Sequence, residues 1–415
     1  MGLRLSFLAL TSLFVTPLMA QTDAQFAHAK KLLEQTILID GHNDLPWEIR
    51  TAEGAPRDVA AYDLRTPRKG MTDLARLAEG RVGAQVWSIY IPGEIKDSGF
   101  ARVQLEQFDI ARRMIARYPD RLMLALTADD IVKAKKQKKI ASLLGMEGGH
   151  AIENSLGALR SYYDLGARYM TLTHNVTLDW ADAALDSMRH EGLTRFGEEV
   201  VHEMNRLGML VDLSHVSPGV MSDALNVTEA PVIFSHSSCR ALVDFPRNVP
   251  DSILARLPQN GGVVMVTFVP GFVSNAVREA ETANGQAIDS LLKDVTDTTE
   301  RRRIAREYGA SHPLPHATIA QVADHIEHAR KVAGVDHVGI GSDFDGIDAG
   351  PDGLEDVSKF PALFAELIRR GWSDADLKKL AGENVLRVLR QAEAVAMKDQ
   401  KGREPSTATI LELDR

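Results

Sequence analysis

Eight short apolar runs, spread over nearly the whole chain and separated by helical stretches, constrain the fold more than any other feature. They fall at 36–39, 82–91, 141–147, 169–174, 209–215, 231–236, 262–267 and 338–346. Apolar runs of this length, bounded by turn residues, read as buried strands. Helical spacing at 100–117, 196–207 and 319–333 supplies the crossovers that parallel strands require. The alternation predicts a (β/α)8 TIM barrel, whose active site lies where the C-terminal ends of the strands meet. A doubly wound open sheet is the rival that strand counting leaves open. No internal repeat, low-complexity linker or GxGxxG turn divides the chain, so one catalytic domain is expected. A helical insertion is expected after strand seven, at 274–315 and helical around 288–307. A final helix at 377–389 precedes a polar tail, 393–415, whose last part from 398 reads as loosely held.

The polar residues of these runs gather at their ends. The first run leads into Asp40-Gly41-His42-Asn43-Asp44-Leu45-Pro46-Trp47, where His42 and Asp44, two apart, share one side of an extended chain. Glu147 ends strand three, His174 strand four, His215 strand five, His236 strand six and Asp343 strand eight. A single strand-end His is ordinarily a hydrogen-bonded structural group. Seven such residues converging on one barrel mouth have little structural justification unless metal binds there. Imidazole and carboxylate without thiolate suit Zn2+, with Mn2+, Co2+ or Fe2+ as alternatives. The set exceeds the needs of one tetrahedral ion and suits two, ~3.5–4 Å apart, sharing a carboxylate. Asp345 competes with Asp343 for a catalytic role, and Asp343 is preferred because it stands nearer the apolar strand.

Composition closes off other classes. A net charge of -9 over 415 residues argues against nucleic acid or an anionic membrane as the main partner. Residues 1–20 carry one charge, Arg4, then an apolar stretch ending at Ala20, the pattern of a secretory signal peptide. No later segment approaches the ~20 apolar residues of a spanning helix, so an exported protein, periplasmic or secreted, is expected without stable membrane insertion. Cys239 stands alone, which excludes an intramolecular disulfide, and reads as a buried, inert thiol.

The motifs at the strand ends also carry a likeness. Asp40 to Trp47, Gly145-Met146-Glu147-Gly148, Thr171-Leu172-Thr173-His174-Asn175, Val211-Asp212-Leu213-Ser214-His215, Phe234-Ser235-His236-Ser237, Pro246-Arg247-Asn248-Val249-Pro250 and Gly341-Ser342-Asp343-Phe344-Asp345-Gly346 together resemble the membrane (renal) dipeptidase family of the metal-dependent amidohydrolase superfamily. The likeness runs from about 36 to 389. It implies a single metallo-dipeptidase domain at 21–392 holding two zinc ions. One would be bound by His42, Asp44 and Glu147, the other by Glu147, His215 and His236, with Glu147 as bridge. It further implies that a bridging hydroxide attacks the peptide carbonyl, that His174 stabilises the oxyanion, and that Asp343 carries the proton to the leaving amine. Arg247 would grip the free C-terminal carboxylate of a dipeptide, L,L or L,D, and the enzyme would be a homodimer. One departure stands out. Vertebrate members carry an aromatic hydroxyl after strand seven that helps hold this carboxylate, whereas here the segment is Phe268-Val269-Pro270-Gly271. Two other readings remain at this stage: another amidohydrolase reaction, on a β-lactam, an N-acyl amino acid or a lactone, and a catalytically silent barrel that binds metal or peptide.

Overall fold

The structure, a computed structural model, describes residues 16–95 and 99–414. The expected leader at 1–20 lies outside the described residues up to position 15; from Thr16 the chain enters the helix Thr16–Gln35.

Nine parallel strands form one sheet: β1 (Leu38–Asn43), β2 (Val82–Tyr90), β3 (Leu122–Leu124), β4 (Ile140–Glu147), β5 (Ala167–Thr171), β6 (Leu210–Asp212), β7 (Ile233–Ser237), β8 (Val263–Val266) and β9 (Val338–Ile340). Eight of them run in the order β2-β1-β9-β8-β7-β6-β5-β4, and β2 pairs with β4 from Ala84↔Ala141 to Tyr90↔Glu147. The sheet therefore closes on itself, and the chain is a (β/α)8 barrel as the alternation predicted. The additional strand, β3, was not foreseen. It pairs with Ile140–Ser142 of β4 on the flank that β5 reaches only from Leu144 onward.

Both faces of the strands are covered, which is why they read as continuous apolar runs. Inside, Ile39, Val86, Leu143, Tyr169, Ile233 and Met265 fill the barrel, and Val385 and Leu389 of the helix Asn384–Asp399 plug its lower end. Ala141 and Leu143 belong to this interior cluster. The two-residue period of the strand therefore turns Glu147 inward at the upper end. Gly145, between them, leaves room for Tyr169: a Cβ there would stand 2.1 Å from its ring.

Two peripheral expectations need correction. The insertion is a pair of helices, Asn275–Leu292 and Thr298–Ser311, not one helix centred on 288–307. Asp297 caps the second through the Glu300 amide, which breaks the run. The second helix buries no residue.

The tail is held, not loose. The helix Asn384–Asp399 passes through the expected boundary at 393, and the chain beyond it returns to the helix Arg195–Leu207. There the Asp414 carboxylate accepts bonds from the Thr194 hydroxyl (2.6 Å) and the Phe196 amide (3.2 Å), and the Ser406 carbonyl accepts from Arg160 (2.9 Å). Asp414 thus serves as a second cap from a distant part of the chain. Because a lost cap typically costs ~1 kcal/mol, Asp414→Ala is expected to lower unfolding free energy by about that amount in a denaturant titration, with no change in activity.

Candidate metal centre

The barrel brings His42, Asp44, Glu147, His174, His215, His236 and Asp343 to one mouth. Glu147 is central. Its Oε2 lies 3.5 Å from His42 Nε2 and accepts from Ser88 Oγ at 3.1 Å. Its Oε1 lies 3.0 Å from His215 Nε2 and 3.5 Å from His236 Nε2. One carboxylate therefore addresses two sets of imidazoles with two different oxygens. Asp44 completes the first set, its Oδ2 3.2 Å from His42 Nε2. Asp343 Oδ1 stands 3.8 Å from the same nitrogen, and His174 Nε2 4.0 Å from Glu147 Oε1.

Local irregularities aim these side chains. Strict alternation from the inward Ile39 and Ile233 would turn His42 and His236 out of the barrel. The β1–β2 pairing breaks register between Asp40 and Asn43, and the β7–β8 pairing between Phe234 and Ser237. Such bulges re-aim a side chain, and here they bring the two rings within 3.9 Å, centroid to centroid. Asp44 occupies the N-cap place of the helix Leu45–Thr51, yet its side chain makes no capping bond. Asn43 Oδ1 takes the Leu45 amide instead, at 2.9 Å, which leaves the Asp44 carboxylate to the site. His215 and Asp343 both hold positive φ, 67° and 68°. Non-glycine residues in that region cost of order 1–3 kcal/mol each and persist where the surroundings enforce them.

The hydrogen bonds behind the imidazoles decide which nitrogen is free. His236 Nδ1 is 2.8 Å from Ser235 Oγ, and that hydroxyl donates to Asp212 at 2.6 Å, so Ser235 accepts the imidazole proton. His215 Nδ1 faces Asn175 Oδ1 at 3.0 Å, an acceptor. His42 Nδ1 faces the Tyr169 hydroxyl at 2.8 Å, which itself donates to the Gly41 carbonyl at 3.4 Å. With all three protons at Nδ1, each Nε2 presents a lone pair to the cavity. The lone pairs of His215 and His236 then face one another at 2.9 Å. Two lone pairs so close repel unless a cation sits between them. Metal-ligating imidazoles characteristically donate their other N–H to such a partner, so these residues fit a metal. His174 differs, because its Nδ1 has no hydrogen-bond partner among the described residues.

The charges agree. Burial alone would raise Glu147, yet His42, His215 and His174 hold its carboxyl well below the usual range. Burial alone would lower His42, yet Tyr169, Glu147 and Asp44 make its Nε2 a place where positive charge is strongly held. Burial, with Arg247 and neighbouring imidazoles, keeps His215 and His236 neutral, as ligands must be. Burial, with the carboxylates of Asp44 and Glu147, pushes Asp343 well above the ordinary carboxyl range, while His42 and Arg247 act against it.

Above this floor lies a cavity of about 470 Å³, lined also by Trp47, Tyr90, Phe245, Phe272 and Arg247. Arg247 is 2% exposed and makes no side-chain hydrogen bond or ion pair among the described residues. Burial lowers its pKa to about 10, and the nearest opposing charges are Asp343, Glu147 and Asp212. No residue of 274–315 lines the cavity; Val269 and Phe272 stand on that side. Cys239 is buried and burial pushes its thiol up to about 12, which agrees with an inert role.

Residues 26–403 match the family model described as Membrane dipeptidase (Peptidase family M19). The chain belongs to this family. It is accordingly a metallopeptidase-type hydrolase of the dipeptidase class. Among M19 relatives, it is 41% identical over 405 residues to Dipeptidase verJ of Clonostachys rogersoniana, covering 95% of this chain and 94% of that one. To Dipeptidase 3 of Mus musculus it is 41% identical over 375 residues, 89% of this chain and 67% of the other. The crystal structure of the probable dipeptidase PvdM from Pseudomonas aeruginosa superposes with a TM-score of 0.79 at 26% identity, over 90% of this chain and all of that one.

The supporting acceptors escaped the sequence reading. Tyr169, Ser235 and Asp212 look like ordinary strand residues, and only the register breaks bring them behind the imidazoles. Loss of one such support typically costs 10–100-fold in metal affinity. Ser235→Ala is therefore expected to weaken metal retention by about that factor in a chelator competition, with the fold intact by circular dichroism.

Proposed function

We propose that this M19 dipeptidase binds two zinc ions and hydrolyses dipeptides that bear a free C-terminal carboxylate, L,L and also L,D. The observation that carries this reading is the division of Glu147, one oxygen toward His42, which Asp44 also meets, the other toward His215 and His236. Held there, the ions would activate a water and polarise the scissile carbonyl. His174, whose Nδ1 lacks an acceptor, presents Nε2–H toward the oxygen that gains charge; one such donor is commonly worth ~2.7–4 kcal/mol. Asp343, beside the same floor, takes the proton of the attacking water and returns it to the leaving amine. Arg247 receives the substrate carboxylate through its planar fork, without the aromatic hydroxyl that vertebrate relatives add.

Export of the mature chain, on the strength of the leader-like residues 1–20, and assembly as a homodimer belong to the same reading. Among the described residues no helix is long and apolar enough to cross a membrane. The test is one preparation assayed for metal content and for cleavage of a panel of L,L- and L,D-dipeptides, alongside a β-lactam, a lactone and an N-acyl amino acid. About two zinc per chain with dipeptides as the fastest substrates is expected. A metal-free preparation that is fully active, or a clear preference for one of the other three, overturns it.

A further inference from the structure

The charges lining the cavity are distributed unevenly along its length. Six carboxylates line it, from Asp44, Glu48, Glu147, Asp343, Asp345 and Asp348, against the single guanidinium of Arg247. Asp44 and Glu147 serve the ions and Asp343 the proton. Glu48, Asp345 and Asp348 are left without an assigned task.

Their positions are set by the fold. Glu48 lies one helical turn beyond Asp44, its amide bonded to the Asp44 carbonyl at 3.1 Å. Residues four apart on a helix share a face, with Cβ atoms ~5–6 Å apart, so Glu48 rises along the wall directly above a metal ligand. Asp345 and Asp348 follow β9, the strand that pairs with β1. The three acids therefore stand side by side on the β1/β9 side of the mouth. Asp345 is fixed by the Met71 amide at 2.6 Å. Glu48 is half-buried, and burial and the charges of Asp44 and Asp348 all act against its ionised form. Among the described residues neither Glu48 nor Asp348 is within ion-pair distance of an Arg, Lys or His. Beside them Trp47 and Tyr90 meet edge to face at 4.9 Å and offer apolar surface.

Arg247 gives this wall a direction. It is buried, unpartnered and opens into the same cavity, so it marks where a substrate carboxylate goes. A dipeptide bound that way across the metal floor points its first residue away from Arg247. The α-ammonium of that residue neutralises one carboxylate of three.

We propose that Glu48 and Asp348, with Asp345 behind them, select dipeptides whose first residue has a cationic side chain, lysine or arginine. The methylene stem lies on Trp47 and Tyr90 while the charged head reaches the acids, the way long basic side chains ordinarily divide themselves. This rests on the dipeptidase reading above and narrows its substrate class.

The test compares Lys-Ala with norleucyl-Ala, which matches the stem and lacks the charge. The readout is the ratio of their kcat/KM values within one protein, so a general change in activity cancels. The zinc-loaded enzyme is expected to favour Lys-Ala by about tenfold, less at high salt because partly exposed charges are screened. In Glu48→Gln/Asp348→Asn the ratio is expected to fall to about one. Asp348→Asn alone, at an exposed position that the fold does not need, should give an intermediate ratio. A ratio of one in the unaltered enzyme, with both dipeptides cleaved, overturns this inference and leaves the dipeptidase reading standing. So does a double variant that loses both substrates equally, since the acids would then hold only the α-ammonium. Cleavage of neither dipeptide sinks both readings.

Discussion

Glu147→Gln is expected to abolish dipeptide hydrolysis, lowering kcat by three orders of magnitude or more, and to leave the protein with well under one metal ion per chain. The substitution is close to isosteric, so the cavity keeps its shape. What changes is charge. The set built on His215 and His236 has no other carboxylate within reach, and without Glu147 it offers two neutral imidazoles, too weak a cradle for a divalent cation. The set built on His42 keeps Asp44 and, 3.8 Å from the same nitrogen, Asp343, but loses the carboxylate that joins it to the other set. Supporting residues that never touch a metal already cost 10–100-fold when removed, and this residue would touch both ions. The fold should survive, because apart from the imidazoles of the site the Glu147 carboxylate accepts, among the described residues, just the Ser88 hydroxyl. Metal content by mass spectrometry, kcat on a fast dipeptide and circular dichroism together check the expectation. Unchanged metal content with unchanged turnover would remove the basis of the dinuclear reading.

Much of this was legible in the sequence because of where a closed barrel puts its strand ends. Glu147 follows from simple alternation: Ala141 and Leu143 face inward, so Glu147 does too. The likeness of motifs placed His42, Asp44, His215 and His236 around it, and the structure brings all of them to one mouth. What could not be read is how His42 and His236 arrive there. Alternation turns both outward, and only the register breaks after Asp40 and Phe234 reverse them. A bulge leaves little trace in a pattern of apolar and polar residues, since it is decided by pairing with another strand. The same limit hid β3, three residues long, whose partners in β4 lie 18 positions further along the chain. The tail was misjudged for a related reason. Its polarity reads as solvation, but Asp414 is polar because it caps a helix that ends some two hundred residues earlier. The acidic wall escaped notice too, since Glu48 and Asp348 lie 300 positions apart and meet only because β1 pairs with β9.

Arg247→Met should separate the needs of folding from those of binding, moving stability and activity in opposite directions. A guanidinium this deeply buried has lost its water and, in the free protein, gains no hydrogen bond from the described residues in return. Desolvating an ion costs several kcal/mol even after relaxation, and replacing buried charges by apolar residues of like volume is often stabilising by ~1–4 kcal/mol. Methionine fills the place of the stem beside the Phe272 ring, over which the guanidinium now lies at 5.4 Å. The variant without substrate is therefore expected to melt a few degrees higher. Toward dipeptides it should lose about 3 kcal/mol of binding in the transition state, roughly two orders of magnitude in kcat/KM, because the substrate carboxylate would enter the same dry corner unpaired. The amide of the same dipeptide carries no such charge. Its slow cleavage should be nearly the same in both proteins, so the preference for free acid over amide should collapse in the variant. Equal losses on acid and amide would mean that Arg247 shapes the cavity without reading a carboxylate. A lower melting temperature would mean that its charge is balanced in the free protein by Asp343 and Glu147 rather than held for substrate.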